Sequence, residues 1–280
     1  MVDGLSRVRV GGGIRLAIGP VDGPPDRLLP AGLSIADVLA DADGLARVVA
    51  SAETTPARGV EAILAPVDRQ EVWAAGVTYR RSRDARKDES TVADVYDRVY
   101  EAERPELFFK APGWRVADPG DAIGVRRDST WDVPEPELGV VVAADGGIAG
   151  WVIGNDVSSR SIEGENPLYL PQAKVYERSC ALGPCLVPRD AVALPAGIHL
   201  RIERDGAPAF EGSTSTSEIV RSFEDLVAAL TRALRFPDGA VLLTGTGVVP
   251  GSDFTLRPGD SVEIRIEGLG TLRNPVISVG

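Results

Sequence analysis

Histidine is almost missing from this chain: one residue, His199, in 280. A Ser-His-Asp hydrolase or a histidine-rich zinc centre would have to be built on it alone. It stands in His199-Leu200-Arg201-Ile202-Glu203, where apolar and polar residues alternate, so the pattern puts it on the solvent side of a strand. Cysteine is equally scarce. Cys180 and Cys185 cannot form a disulfide framework, their spacing is wrong for a paired metal knuckle, and no second pair exists. A reduced, cytoplasmic protein is expected. Long apolar runs are lacking too. Residues 138–144 form the most apolar window near the middle, far short of the roughly 20 residues of a membrane span, and the N-terminus has no apolar core of a secretory signal. Positive charge is in deficit, 30 Lys and Arg against 41 Asp and Glu, a net charge of −11 that disfavours nonspecific nucleic-acid binding.

What is present is an ordinary globular composition, 44% hydrophobic and 25% charged, long enough to bury a core without disulfides. Glycine (31) and proline (21) punctuate the whole chain, which favours many short strands over long helices. Two strands flank Gly11-Gly12-Gly13. Ser34 is placed to cap a helix through Ile35, Val38 and Leu39. A soft boundary falls near residue 66, giving a small N-terminal domain (1–66) and a larger β-rich domain (67–280). Beyond it, residues 72–76 and 107–110 read as strands, with a turn at Ala111-Pro112-Gly113. Between them lie a very polar run, residues 80–89, and a helix opened by Thr91. Short apolar segments recur from residue 122 to residue 266. One longer helix interrupts them, capped by Ser222, with Phe223, Leu226, Val227, Leu230 and Leu234 as its stripe. The absence of a strand–helix rhythm argues against a Rossmann or barrel fold and for a β-rich α+β domain.

Three carboxylates draw attention. In Glu135-Pro136-Glu137 the proline biases its predecessor to extended backbone, so both glutamates point to one face, roughly 6 to 7 Å apart. Gly146-Gly147 turns the following strand back, and Asp156 at the end of the return strand can reach the pair. An all-oxygen cluster without histidine suits Mg²⁺ or Mn²⁺, and Ca²⁺ as a further candidate. An exposed, solvated acidic face is the alternative. Apolar strands on both sides favour burial, where unpaired carboxylates are costly. Downstream, Ser158 to Asn166 and Gln172-Ala173-Lys174 are dense in polar groups. Thr244-Gly245-Thr246-Gly247 looks like a nucleotide loop, but lacks the Gly-x-Gly-x-x-Gly spacing and a following helix.

Together, Glu135-Pro136-Glu137-Leu138-Gly139, Gly154-Asn155-Asp156-Val157-Ser158-Ser159-Arg160, Gln172-Ala173-Lys174, Leu182-Gly183-Pro184 and Leu243-Thr244-Gly245-Thr246 resemble the fumarylacetoacetate hydrolase family from about Glu71 to the C-terminus. Residues 163–174 bring the chain nearest to its 2-keto-3-deoxy-sugar-acid (2-dehydro-3-deoxy-D-arabinonate) dehydratases. The resemblance implies a mixed β-sandwich roll with a small N-terminal α/β region, a homodimer or homotetramer, and a divalent metal on Glu135, Glu137 and Asp156. It also implies that Thr246 and the Gly245 backbone bind substrate, and that residues 80–89 form a lid from which Ser82 or Arg83 reaches it. The family's C–C hydrolases carry a histidine in the stretch corresponding to Tyr79–Ser90, and this chain has none there.

That departure favours dehydration of a 2-keto-3-deoxy sugar acid to a 2,5-dioxo acid, with the metal polarising the C2 carbonyl and stabilising the enolate. Glu106 and Lys174 are the candidates for moving the C3 proton and protonating the C4 hydroxyl. A salt bridge to Glu137 or Asp156 is the alternative role for Lys174, and a solvated charge that for Glu106. The rival activities are an acylpyruvate-type C–C hydrolase and an oxaloacetate-type decarboxylase.

Overall fold

The computed structural model describes residues 2–79 and 102–280. The polar run 80–89, the helix expected from Thr91, and Ser82 and Arg83 fall outside the described residues. Among those described, strands dominate, and no helix is long and apolar enough to cross a membrane.

The site lies in a large mixed sheet. Its centre is the strand Pro136–Val142, buried along its whole length and paired antiparallel with Ile148–Asp156 and Ala240–Leu243. The order continues from Ile148–Asp156 to Cys180–Pro188, and from Ala240–Leu243, in parallel, to Glu71–Gly76 and then Glu106–Pro112. Burial on both faces explains the unbroken apolar run in the central strand, since no side of it meets water. Leu138, Val140 and Val142 point into the main core, shared with Ile198, Leu200, Ile264 and the helix Phe223–Thr231. Val141 points to a second core on the opposite face, against Leu5, Ile18, Ile35 and Leu45.

A five-stranded sheet packs on the main core. It runs Ala207–Ser215, Gly197–Arg204, Ser261–Ile266, Gly270–Val279 and Ile123–Arg126, with its last pair parallel. The β-rich α+β roll read from the sequence is the fold observed. His199 is exposed on Gly197–Arg204, as its alternation requires.

The N-terminal hairpin forms as expected from Asp3–Val10 and Gly13–Pro20. Ser34 caps the short helix Ile35–Val38 through a capping box with Asp37. Residues on both sides of the boundary read near residue 66 share the large sheet: Asp3–Val10 pairs with Val60–Leu64 and with Cys180–Pro188. Two details differ from the sequence reading. Ala111 and Pro112 belong to the strand, and the turn is a 3₁₀ segment at Gly113–Arg115. The long helix ends at Thr231, leaving Leu234 outside its buried stripe and 41% exposed.

Candidate active site

The hairpin of Pro136–Val142 and Ile148–Asp156 builds the acidic cluster. Pro136 pairs with Asn155, and the Asp156 N–H donates to the Glu135 carbonyl at 3.0 Å, so the aspartate lies beside the glutamate pair. Glu135, Glu137 and Asp156 are all buried, and each offers a carboxylate oxygen within 4.8 Å of the others.

Such a cluster survives burial only if it is compensated. Lys174, at the end of the helix Leu170–Lys174, donates from Nζ to Glu135 Oε2 at 2.8 Å, Asp156 Oδ2 at 3.0 Å and Ser158 Oγ at 2.5 Å. The salt bridge weighed from the sequence therefore exists with Asp156, one of the two partners expected, and Lys174 also pairs with Glu135. Arg160 opens the helix Arg160–Glu165 and donates to Glu135 Oε1 at 2.9 Å, with Glu163 3.9 Å away. Glu137 accepts the Gly245 N–H at 2.6 Å. Burial, then the charges of Asp156 and Glu135, push its carboxyl well above the usual carboxylate range, against the opposing pull of Lys174 and the Gly245 N–H.

This donor set fits a hard divalent cation. Ligand oxygens on opposite sides of a Mg²⁺ lie about 4.2 Å apart, which the triad's spacing accommodates. A dication would also offset the mutual repulsion that raises Glu137.

The pocket over the triad is lined by Gly76, Glu106, Phe108, Arg160, Glu163, Leu170, Lys174 and residues 245–251. Glu106 and Gly76 are register partners across the strand pair, and a Cβ at residue 76 would lie 2.0 Å from Glu106 Oε2. Glycine thus makes room for the glutamate. Gly245 takes φ +84° at the pocket wall and spends its N–H on Glu137, while the Thr246 hydroxyl donates to the Val248 carbonyl at 3.1 Å.

The sequence reading left out Arg160, Glu163 and Phe108 as pocket residues, and Lys110 beneath them. A signal existed for the cations. Lys110 stands alone in the apolar run Leu107-Phe108-Phe109-Lys110-Ala111, and a lone charge in a buried strand must find a partner.

The fold and the acidic pocket mark an enzyme scaffold of one family, and residues 71–277 match the fumarylacetoacetate (FAA) hydrolase C-terminal family, to which the chain belongs. Within that family it is similar to a Haloferax volcanii protein named "Probable 2-keto-3-deoxyxylonate dehydratase", 57% identical over 76% of this chain and 74% of the relative. It is also similar to the 2-dehydro-3-deoxy-D-arabinonate dehydratase of Saccharolobus solfataricus, 45% identical over 76% of this chain and 74% of that one. Among solved structures, a 2-keto-3-deoxy-D-arabinonate dehydratase complexed with magnesium and 2,5-dioxopentanoate superposes with a TM-score of 0.83 at 35% identity, covering 98% of this chain and 99% of the other.

Proposed function

We propose that this chain is a divalent-metal-dependent dehydratase that converts a 2-keto-3-deoxy sugar acid to a 2,5-dioxo acid. The observation that carries this reading is the buried triad Glu135, Glu137 and Asp156, joined through Lys174 to a pocket that holds Glu106. Glu135, Glu137 and Asp156 would hold Mg²⁺ or Mn²⁺, which when bound supplies the Lewis acidity that makes the C3 proton of a 2-keto acid removable.

The remaining work falls to side chains. Glu106, a carboxylate at the pocket wall, is suited to take the C3 proton. Lys174, which donates to three oxygens beside the pocket, is suited to protonate the departing C4 hydroxyl. Loss of water leaves a C4=C5 enol once the double bond has moved, and the enol becomes the terminal aldehyde. Gly245, Thr246, Ser82 and Arg83 are assigned to substrate binding, with the first two at the pocket wall. The relatives' substrates are five-carbon acids, which supports a pentonate as substrate.

We further infer a homodimer or homotetramer, from the family resemblance and from the strand Ala207–Ser215, which is the outermost strand of the five-stranded sheet among the described residues. A cytoplasmic setting suits Cys180 and Cys185, both free and buried.

Three variants test the assignment. Glu137→Gln should abolish Mg²⁺-dependent turnover while the protein still folds. Lys174→Ala should lower kcat by about 10²- to 10⁴-fold, and His199→Ala should leave it nearly intact. A Lys174→Ala enzyme with wild-type turnover would overturn the reading.

A further inference from the structure

The strand Glu106–Pro112 sends Glu106 and Phe108 to the pocket wall. Its pairing with Glu71–Gly76 then slips: Phe109 faces Trp73, Ala111 faces Val72, and Lys110 between them has no partner in the register. Lys110 is the extra residue of a β-bulge, a device that re-aims a side chain. Here the side chain is fully buried beneath the site and is not part of the pocket wall.

Lys110 meets three oxygens, two through hydrogen bonds and one through charge alone. It donates to the Val157 carbonyl at 3.0 Å and the Lys174 carbonyl at 2.5 Å, and forms a buried ion pair with Asp156 Oδ1. The other oxygen of that carboxylate, Oδ2, is held by Lys174. The Asp156 carboxylate is therefore flanked by two ammonium groups, a hydrogen bond from Lys174 on Oδ2 and the ion pair with Lys110 at Oδ1, which takes no hydrogen bond among the described residues. The Lys174 carbonyl also accepts from Ser179 Oγ at 2.9 Å, so the end of the helix that presents Lys174 is tied from two sides.

Stability alone does not call for this arrangement. Buried ion pairs are often replaced by apolar residues of similar volume at no loss of stability, and a methionine would fill the space. What an apolar residue cannot do is fix the rotation of the Asp156 carboxylate while anchoring the backbone of Lys174.

We propose that Lys110 is a positioning residue, which through the bulge at 109–111 holds the Asp156 carboxylate and the Lys174 backbone in one fixed relation. This rests on Asp156 as a metal ligand and Lys174 as a proton-transfer group. Outer partners of metal ligands are typically worth 10- to 100-fold in metal affinity or activity.

The test compares wild type, Lys110→Met and Lys110→Gln. Lys110→Met should lower kcat about 10- to 100-fold with KM within about twofold, and should weaken Mn²⁺ binding, read by electron paramagnetic resonance at fixed pH, by a similar factor. Lys110→Gln, which keeps one amide donor group, should recover part of both losses, and it carries the measurement alone if the methionine variant does not fold. A folded variant with wild-type kcat and Mn²⁺ affinity, whatever its melting temperature, would overturn the proposal. If the wild type dehydrates no 2-keto-3-deoxy acid, the functional reading fails, yet the Mn²⁺ titration still decides the positioning role.

Discussion

Gly76 and Glu106 show how one small residue governs a functional one. The 2.0 Å approach that a Cβ at residue 76 would make falls on the end of a flexible side chain, so Gly76→Ala should fold and displace the glutamate. Turnover is expected to fall at least about tenfold, since a positioned acid or base contributes about 10²- to 10⁴-fold; unchanged kcat would show that the position of Glu106 does not matter. A second residue outside the mechanism reports on burial. Asp132 is 3% exposed, and desolvation, only partly countered by Ser129, raises its carboxyl to about 6. A carboxyl raised in the folded state disfavours folding where it must ionise, so its penalty grows as pH rises from about 4 to about 6 and is absent at lower pH. Urea melts of wild type and Asp132→Asn should therefore diverge over that window, the variant gaining relative stability as pH rises. Parallel curves would contradict it. The triad was legible because Pro136 and the hairpin glycines constrain it locally. Of the partners of its charges, only the Lys174 bridge to Asp156 was read; Arg160 and Lys110 were not, because they reach it across contacts that alternation along a strand does not encode.

At the level of elements, the hairpins and buried strands follow from local rules. Gly11 and Gly12 take positive φ where the first hairpin turns, and the central strand is apolar because both faces are covered. The helix Phe223–Thr231 was readable from its cap and stripe, and the Asp225 N–H does donate to Ser222 Oγ at 3.0 Å. Ser222→Ala should cost about 1 kcal/mol of stability, measured as a lower urea midpoint, with kcat unchanged. The helices Arg160–Glu165 and Leu170–Lys174 were not readable. Six and five residues are too few to show a helical period, even though Pro171 sits in the first turn of the second, where proline is tolerated. These two short helices carry Arg160, Glu163 and Lys174 into the site. The bulge at Lys110 left no mark in composition either, since a slipped register depends on the partner strand.

Among the described residues, the large mixed sheet and the five-stranded sheet share a core, with the acidic site at the ends of the central hairpin. Assembly is tested by light scattering at micromolar concentration. Two or four chain masses are expected, and a species of one chain mass alone would contradict the inferred oligomer. The most direct test of the central claim is an assay on a 2-keto-3-deoxy pentonate, before and after chelation by EDTA. Formation of 2,5-dioxopentanoate equal to the substrate consumed is expected, lost on chelation and restored by Mg²⁺ or Mn²⁺, with no cleavage of acylpyruvates. Full turnover after exhaustive chelation, or efficient acylpyruvate hydrolysis without the dioxo product, would contradict it.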